Sequence, residues 1–368
     1  MEEIKPLTSL RGFAAMAVVL QHFSATAQPL TPSWIPSIVP HGYMAVHFFF
    51  ILSGFIMSLT YLGSFEARGL RAFPDFLLKR VARIVPLNCF ALLVIVLLGV
   101  GCRFTIGTPV FFREATLMFD LPANLLMLQG LGIGDNLNGP SWSVSTEFAA
   151  YFLFPVFVVA VFNRRRWVTI ATLIAALVLL CAIAAQSPRL GLGGIDAETT
   201  LLETFAEFVL GMGTFIMYRY RIAAGRHASD FEFAALTVAA GAFLIAGIDL
   251  PVSLLCPFIV AAAALNRGFW ARFLSGGVPY FLGVISFSIY LIHDPFRPTA
   301  VALFHLAHPG STTAAGALIF ALVGSFAVIP FAWLTYIGIE RPGRRVVRRW
   351  AEALSRKSKA PISASIIS

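Results

Sequence analysis

The sequence predicts an all-α fold: a polytopic integral membrane bundle of about ten transmembrane helices, with both termini in the cytoplasm. Three observations carry that expectation. The chain has 368 residues, 58% hydrophobic and only 12% charged, where soluble domains carry about 25% charged residues. Its apolar residues fall in near-continuous windows long enough to cross a bilayer. Short basic segments separate the windows. Starting from a cytoplasmic N-terminus and alternating sides, only Arg103, Arg113, Arg189 and Arg297 of the 27 Lys and Arg fall outside, as the positive-inside rule requires. That topology accounts for the net charge of +9 without any nucleic-acid partner.

The first span, residues 7–27, reads LTSLRGFAAMAVVLQHFSATA. The preceding MEEIKPL lacks the positive run and cleavage site of a secretory signal, so the span is expected to stay as a helix. A Pro-rich connection leads to the second span, 42–62. A charged loop, 66–83, precedes the third span, 84–100. The long connection 103–140 is expected to hold a short helix or re-entrant piece near 121–131. The fourth and fifth spans are 141–162 and 167–185. A Gly-rich loop leads to the sixth, 200–218. The seventh and eighth, 231–248 and 251–265, meet at a tight turn at Asp249. The ninth is 279–296 and the tenth 312–339. Residues 1–345 thus make one transmembrane domain, and 346–368 a basic cytoplasmic tail, partly disordered, suited to the anionic inner leaflet. The chain shows no internal repeat of the kind secondary transporters carry. Its four cysteines have neither metal spacing nor a paired motif, and no metal is expected.

Ionisable side chains inside a span are costly and usually line a cavity, a relay or a substrate path. Arg11 and His22 are eleven positions apart, about three turns plus 20°, so they share a face roughly 16 Å apart. The bland alternative is a snorkelling arginine and a histidine bonded to a neighbouring helix. The topology sorts the remaining polar residues into two layers. His22, His47, Glu147 and His293, with Asp294 and Arg297, fall in the outer half. The inner layer is cationic: Arg11 with Arg80 and Arg83, which LLKRVARIVP places three residues apart on one helix face. Guanidinium pairs fit phosphate oxygens.

This pattern suggests acyl transfer from a phosphorylated donor docked on the inner arginines. His22 would take the proton of an attacking hydroxyl, or would itself accept the acyl group; spacing leaves both routes open. Glu147 and His293 would orient His22 or the acceptor, the carboxylate as the third member of a triad does. The serines at 53, 143, 145, 286 and 288 suit helix packing better than nucleophilic chemistry. Trp142 suits either an aromatic belt or a cavity lid.

The motifs also resemble a known family. SLRGFAAMAVVLQH, with Arg11 and His22, is similar to the opening motif of the acyltransferase family 3 transmembrane enzymes. HFFFILSGF at 47–55, the Arg80/Arg83 pair, PSWSVSTEFAAYFLFP with Glu147, SFSIYLIHDP with Tyr290 and His293, and the closing IERP follow in family order. The resemblance runs over about residues 7–345. It implies an acyl-coenzyme A donor, acetyl-CoA in the first instance, used from the cytoplasm in a bacterial inner membrane. The acceptor would be a hydroxyl of an exported carbohydrate or glycolipid: exopolysaccharide, lipopolysaccharide, lipo-oligosaccharide, peptidoglycan or a secondary metabolite. It makes Arg11 and His22 essential. The polar layers themselves make Arg11, Arg80 and Arg83 candidates for donor binding, and His47, Trp142, Tyr290 and His293 candidate acceptor contacts. The chain departs from the pattern at His47, where many members carry Asp, at Ala45, where Gly is common, and at Phe287, where Tyr is common. Some members carry a fused extracytoplasmic esterase-like domain; this chain is expected to complete the transfer itself or hand over to a partner. The rival expectation is a secondary transporter of an anionic or sugar solute, which predicts movement without covalent change. A non-catalytic scaffold would tolerate neutral replacement of both Arg11 and His22.

Overall fold

The computed structural model describes residues 3–26, 39–107, 111–187, 189, 191–193, 196–307, 314–347 and 349. The described chain is helical, with no β-strand among its residues beyond a single bridge between Ala228 and Asn266. The helices are α1 (Lys5–Thr26), α2 (Met44–Arg68), α3 (Phe73–Ile106), α4 (Leu117–Leu125), α5 (Ser141–Val161), α6 (Arg166–Ala184) and α7 (Ala197–Ala223). They continue with α8 (Asp230–Ala246), α9 (Asp249–Leu265), α10 (Phe269–Leu274), α11 (Gly277–Val284), α12 (Ser286–Ala307) and α13 (Ala314–Thr335). A π-helical turn, Tyr336–Glu340, carries α13 on into helical residues 341–347.

Five helical stretches are long and apolar enough to cross a membrane, or six if the pair bent by 64° at Ile285 is one span. Many large apolar side chains point outward, among them Leu97, Val156, Trp167 and Val238. Facing lipid they are at ease; facing water they would make an unusually large apolar surface.

Two local readings change. The charged segment 66–83 is not a loop: α2 runs to Arg68 and α3 starts at Phe73. Gly69 turns the chain at φ +56°, and Pro74 and Asp75 open α3, so Arg80 and Arg83 sit well inside a helix. A proline in the first turn loses no hydrogen bond and an acid there meets the helix dipole favourably. The ninth expected span is two helices, α11 and α12. The connection after α3 holds the expected short helix, at α4, with a 3-10 turn at Gln129–Leu131. Residues 27–38 of the Pro-rich connection and the tail beyond residue 349 lie outside the described residues.

Close helix contacts are made by glycine. A Cβ at Gly54 of α2 would lie 2.0 Å from the Phe208 carbonyl oxygen of α7, and one at Gly211 of α7 would lie 2.0 Å from the Ile51 oxygen of α2. The two backbones therefore touch, as small-residue membrane interfaces allow. Gly12 of α1 and Gly283 of α11 make a second such contact.

Apolar packing divides into two clusters. The larger centres on α2, α5, α7 and α9. The smaller joins α1, α12 and α13 through Ala15, Val19, Phe23, Ile289 and Val328. Phe49 and Phe90 pack against both, so the seam between the clusters runs past them.

Polar bonds pin this seam. Asn124 of α4 bonds Asp120 O, Asp135 O and the Leu137 amide, which ties the α4–α5 connection into one piece. Asn138 then donates to Leu291 O, and the Gly139 amide to Asp294, docking the start of α5 on α12. Ser288 of α12 donates to the buried Glu340 at 2.6 Å, and Arg344 closes on the same carboxylate. That contact explains the closing IERP motif as a lock on α12.

Candidate active site

The seam holds a cavity of about 220 Å³. Its character changes along α2, whose Val46, Phe49, Phe50, Ser53, Met57 and Thr60 line it at three- and four-residue steps. At 1.5 Å per residue those positions span about 21 Å. Arg80 marks one end: it donates to Tyr61 at 2.7 Å, next to Thr60, and its guanidinium lies over the Tyr61 and Tyr151 rings. Arg11 and Arg83 also line the cavity, Arg83 over the Phe287 ring. Arg80 Nε is buried without a hydrogen-bond partner. Such a donor is costly unless an acceptor arrives, and an anion's oxygen would be one acceptor suited to the cationic groups here.

The middle is made of hydroxyls and one acid. Tyr151 donates to Glu147 at 2.6 Å and lies 3.2 Å from Ser53 Oγ. The other end is apolar and aromatic: Val46, Phe49, Phe50 and Val144, with Ser143 and Tyr290 in contact at 2.6 Å.

Behind Tyr290 lies an imidazole pair. The His22 Nδ1 of α1 is 2.8 Å from His293 Nε2 of α12, and the rings are 5.0 Å apart. His293 is fully buried, and its Nδ1 lies 3.2 Å from Ile289 O. A carbonyl only accepts, so a neutral His293 carries its proton on Nδ1 and accepts at Nε2. His22 then donates from Nδ1 and keeps its lone pair on Nε2, the arrangement a general base needs. Tyr290 packs its ring 6.1 Å from His293 and 5.8 Å from Phe49. It links the imidazoles to the cavity wall, which neither histidine lines.

The expected residues therefore fall into three groups. Arg11, Arg80, Arg83, Glu147 and Tyr290 share the cavity. His22 and His293 share a hydrogen bond beside it. Of the two groups expected to orient His22, it is His293 that bonds it, while Glu147 accepts a hydrogen bond from Tyr151. Trp142 packs its ring 6.4 Å from Phe50, behind the aromatic end.

His47 belongs elsewhere. Its Nδ1 is 2.9 Å from Glu207 of α7, and both side chains are buried. Ser253 of α9 donates to the same Glu207 oxygen at 2.6 Å. Glu203, one turn away, accepts from the Gly193 amide, and Asp249 accepts from Tyr43 and the Leu192 amide. Gly193, at φ +71°, leaves no room for a side chain beside His47. Glu203, Glu207 and Tyr151 are absent from the sequence-based expectations. Two acids four residues apart inside an apolar segment were the available signal for the first two. Among the described residues no group of His, Cys, Asp and Glu is placed to hold a metal ion.

Comparison with known proteins gives the family. The family described as "Acyltransferase domain" matches residues 5–337. Among curated relatives, acyltransferase MdmB of Streptomyces mycarofaciens is 29% identical, over 93% of this chain and 92% of its own length. BcsY of Komagataeibacter xylinus, provisionally named a membrane-bound transacylase, is 25% identical over 98% of this chain and 85% of its own. YrhL of Bacillus subtilis, provisionally named a peptidoglycan O-acetyltransferase, is 25% identical over 83% of this chain but only 50% of its own. No solved structure matches. The chain belongs to this acyltransferase family, and it is an acyltransferase.

Proposed function

We propose that this member of the acyltransferase family moves an acyl group, acetyl in the first instance, from cytoplasmic acyl-coenzyme A to a hydroxyl of an exported carbohydrate or glycolipid. It would act in a bacterial inner membrane, with ten crossings and both termini inside. One observation carries the reading: a cavity with three arginines at one end leads to a tyrosine that touches the His22–His293 pair. The arginines would hold the donor phosphates, with charge-assisted bonds to their oxygens. The cavity would carry the thioester toward Tyr290.

His22 Nε2 would take the proton from the acceptor hydroxyl as its oxygen attacks the thioester carbon. The C–O bond forms, the C–S bond breaks, and the imidazolium returns the proton to the departing thiolate. In the covalent route the same nitrogen would carry the acyl group between two such steps. The exchange consumes no net proton and needs no metal. Relatives named for acyl or O-acetyl transfer support the chemistry; the donor and acceptor come from the site and from the family's motif pattern.

The test uses the full chain in lipid vesicles with acetyl-CoA and total surface glycan, reading free thiol and acetylated product by mass spectrometry. Acetylated glycan from the parent chain and none from His22→Ala, with both inserted equally, supports the reading. Normal transfer by His22→Ala removes the mechanism. Solute uptake into the vesicles without covalent change would favour a transporter.

A further inference from the structure

The cavity is graded from cationic to aromatic, and the aromatic end has no counterpart in the roles assigned above. Phosphates belong at the Arg80 end. The reacting carbon must approach His22, which lies behind Tyr290 at the far end. Whatever extends beyond that carbon on the donor is the acyl chain, and the walls it meets are Val46, Phe49, Phe50 and Val144. Phe50, Val46 and Val144 are buried at 2%, 4% and 4% exposure. Phe50 is braced from behind by Trp142. Phe49 is held edge-on against Tyr290 and packs against both apolar clusters. Both rings are held by their neighbours, which makes this end stiff.

We infer that Val46, Phe49, Phe50 and Val144 form the seat of the acyl chain, and that Phe49 sets the longest chain the enzyme accepts. The inference rests on the acyl-coenzyme A reading and deepens it. Tightly packed walls resist an added methylene because neighbours must move out of well-filled positions. One methylene more or less in such a pocket changes selectivity about 10- to 200-fold. Removing the Phe49 ring opens room for several methylenes; trimming Val46, one turn away on the same face of α2, opens less.

The experiment gives the full chain in vesicles acetyl-, butyryl- or hexanoyl-CoA separately, with the same glycan acceptor, and reads thiol release and product mass. The parent chain is expected to lose at least about tenfold in rate from acetyl to hexanoyl. Phe49→Ala should raise the hexanoyl-to-acetyl ratio at least about tenfold, and Val46→Ala in the same direction by less. Val144→Phe should steepen the fall already at butyryl. Active variants whose ratios stay within twofold of the parent overturn the inference. Folded variants that lose all three donors alike also overturn it, because a seat for the chain alone spares the shortest donor. A parent chain silent toward every acyl-CoA, yet acylating glycan from another donor, would instead remove the coenzyme reading and the inference with it.

Discussion

The Nδ1 of His22 and the Nε2 of His293 lie 2.8 Å apart, joining two helices whose sequence positions are 271 residues distant. The bond fixes the tautomer of both rings, because Ile289 O claims the proton on His293 Nδ1. A base oriented by a neutral imidazole keeps its ring plane and lone pair in place, with the neighbouring Asp294 carboxylate paired to Arg297.

His293→Ala should therefore cut the rate of acyl transfer about 10²- to 10⁴-fold, the range that a positioned acid–base group contributes. His293→Gln retains a side-chain oxygen able to accept from His22 and should recover part of that loss. Rates of thiol release for the two variants check this; equal rates for both would show that His293 does not act through the His22 proton.

Arg80→Gln and Arg83→Gln remove charge from the cationic end while leaving the imidazoles untouched. Each should raise KM for acetyl-CoA about tenfold or more, the loss of one charge-assisted bond, with a smaller change in kcat. A fall in kcat at constant KM would place these arginines outside donor binding.

Gly54→Ala should destabilise the protein by about 1–3 kcal/mol, the cost of overfilling a packed contact, because its Cβ would meet the Phe208 oxygen. Gly63 lies on the same helix with open space beside it, so Gly63→Ala serves as the control and should not destabilise. Thermal unfolding in detergent distinguishes them.

Glu207→Leu leaves the His47 Nδ1 and the Ser253 hydroxyl without their shared acceptor. Each stranded group costs about 1–3 kcal/mol. Adding His47→Phe should restore part of the lost stability, since replacing both partners removes the stranded imidazole. Thermal midpoints of the two single variants and the double variant measure the coupling; additive losses would show that the pair does not interact.

The sequence by itself determined the helical class and the segments that carry helices. It also marked the residues too polar for lipid, because an apolar window of bilayer length and an ionisable group inside it are local facts. It placed Arg11, Arg80 and Arg83 in one layer and His22 and His293 in another, from the positive-inside alternation of the helices and the position of each residue along its helix. It did not determine who touches whom. It assigned Glu147 and His293 to one layer, and only the packing of α1 against α12 made the second imidazole the partner of His22. It assigned His47 to the layer of His22, yet the Gly54–Gly211 contact brings α7 against α2 and hands it to Glu207. The bend at Ile285 and the run of α3 back past Arg80 were likewise decided in three dimensions. Depth along a helix follows from counting residues; the face a residue meets depends on which neighbouring helix packs there, and that depends on contacts far apart in the chain.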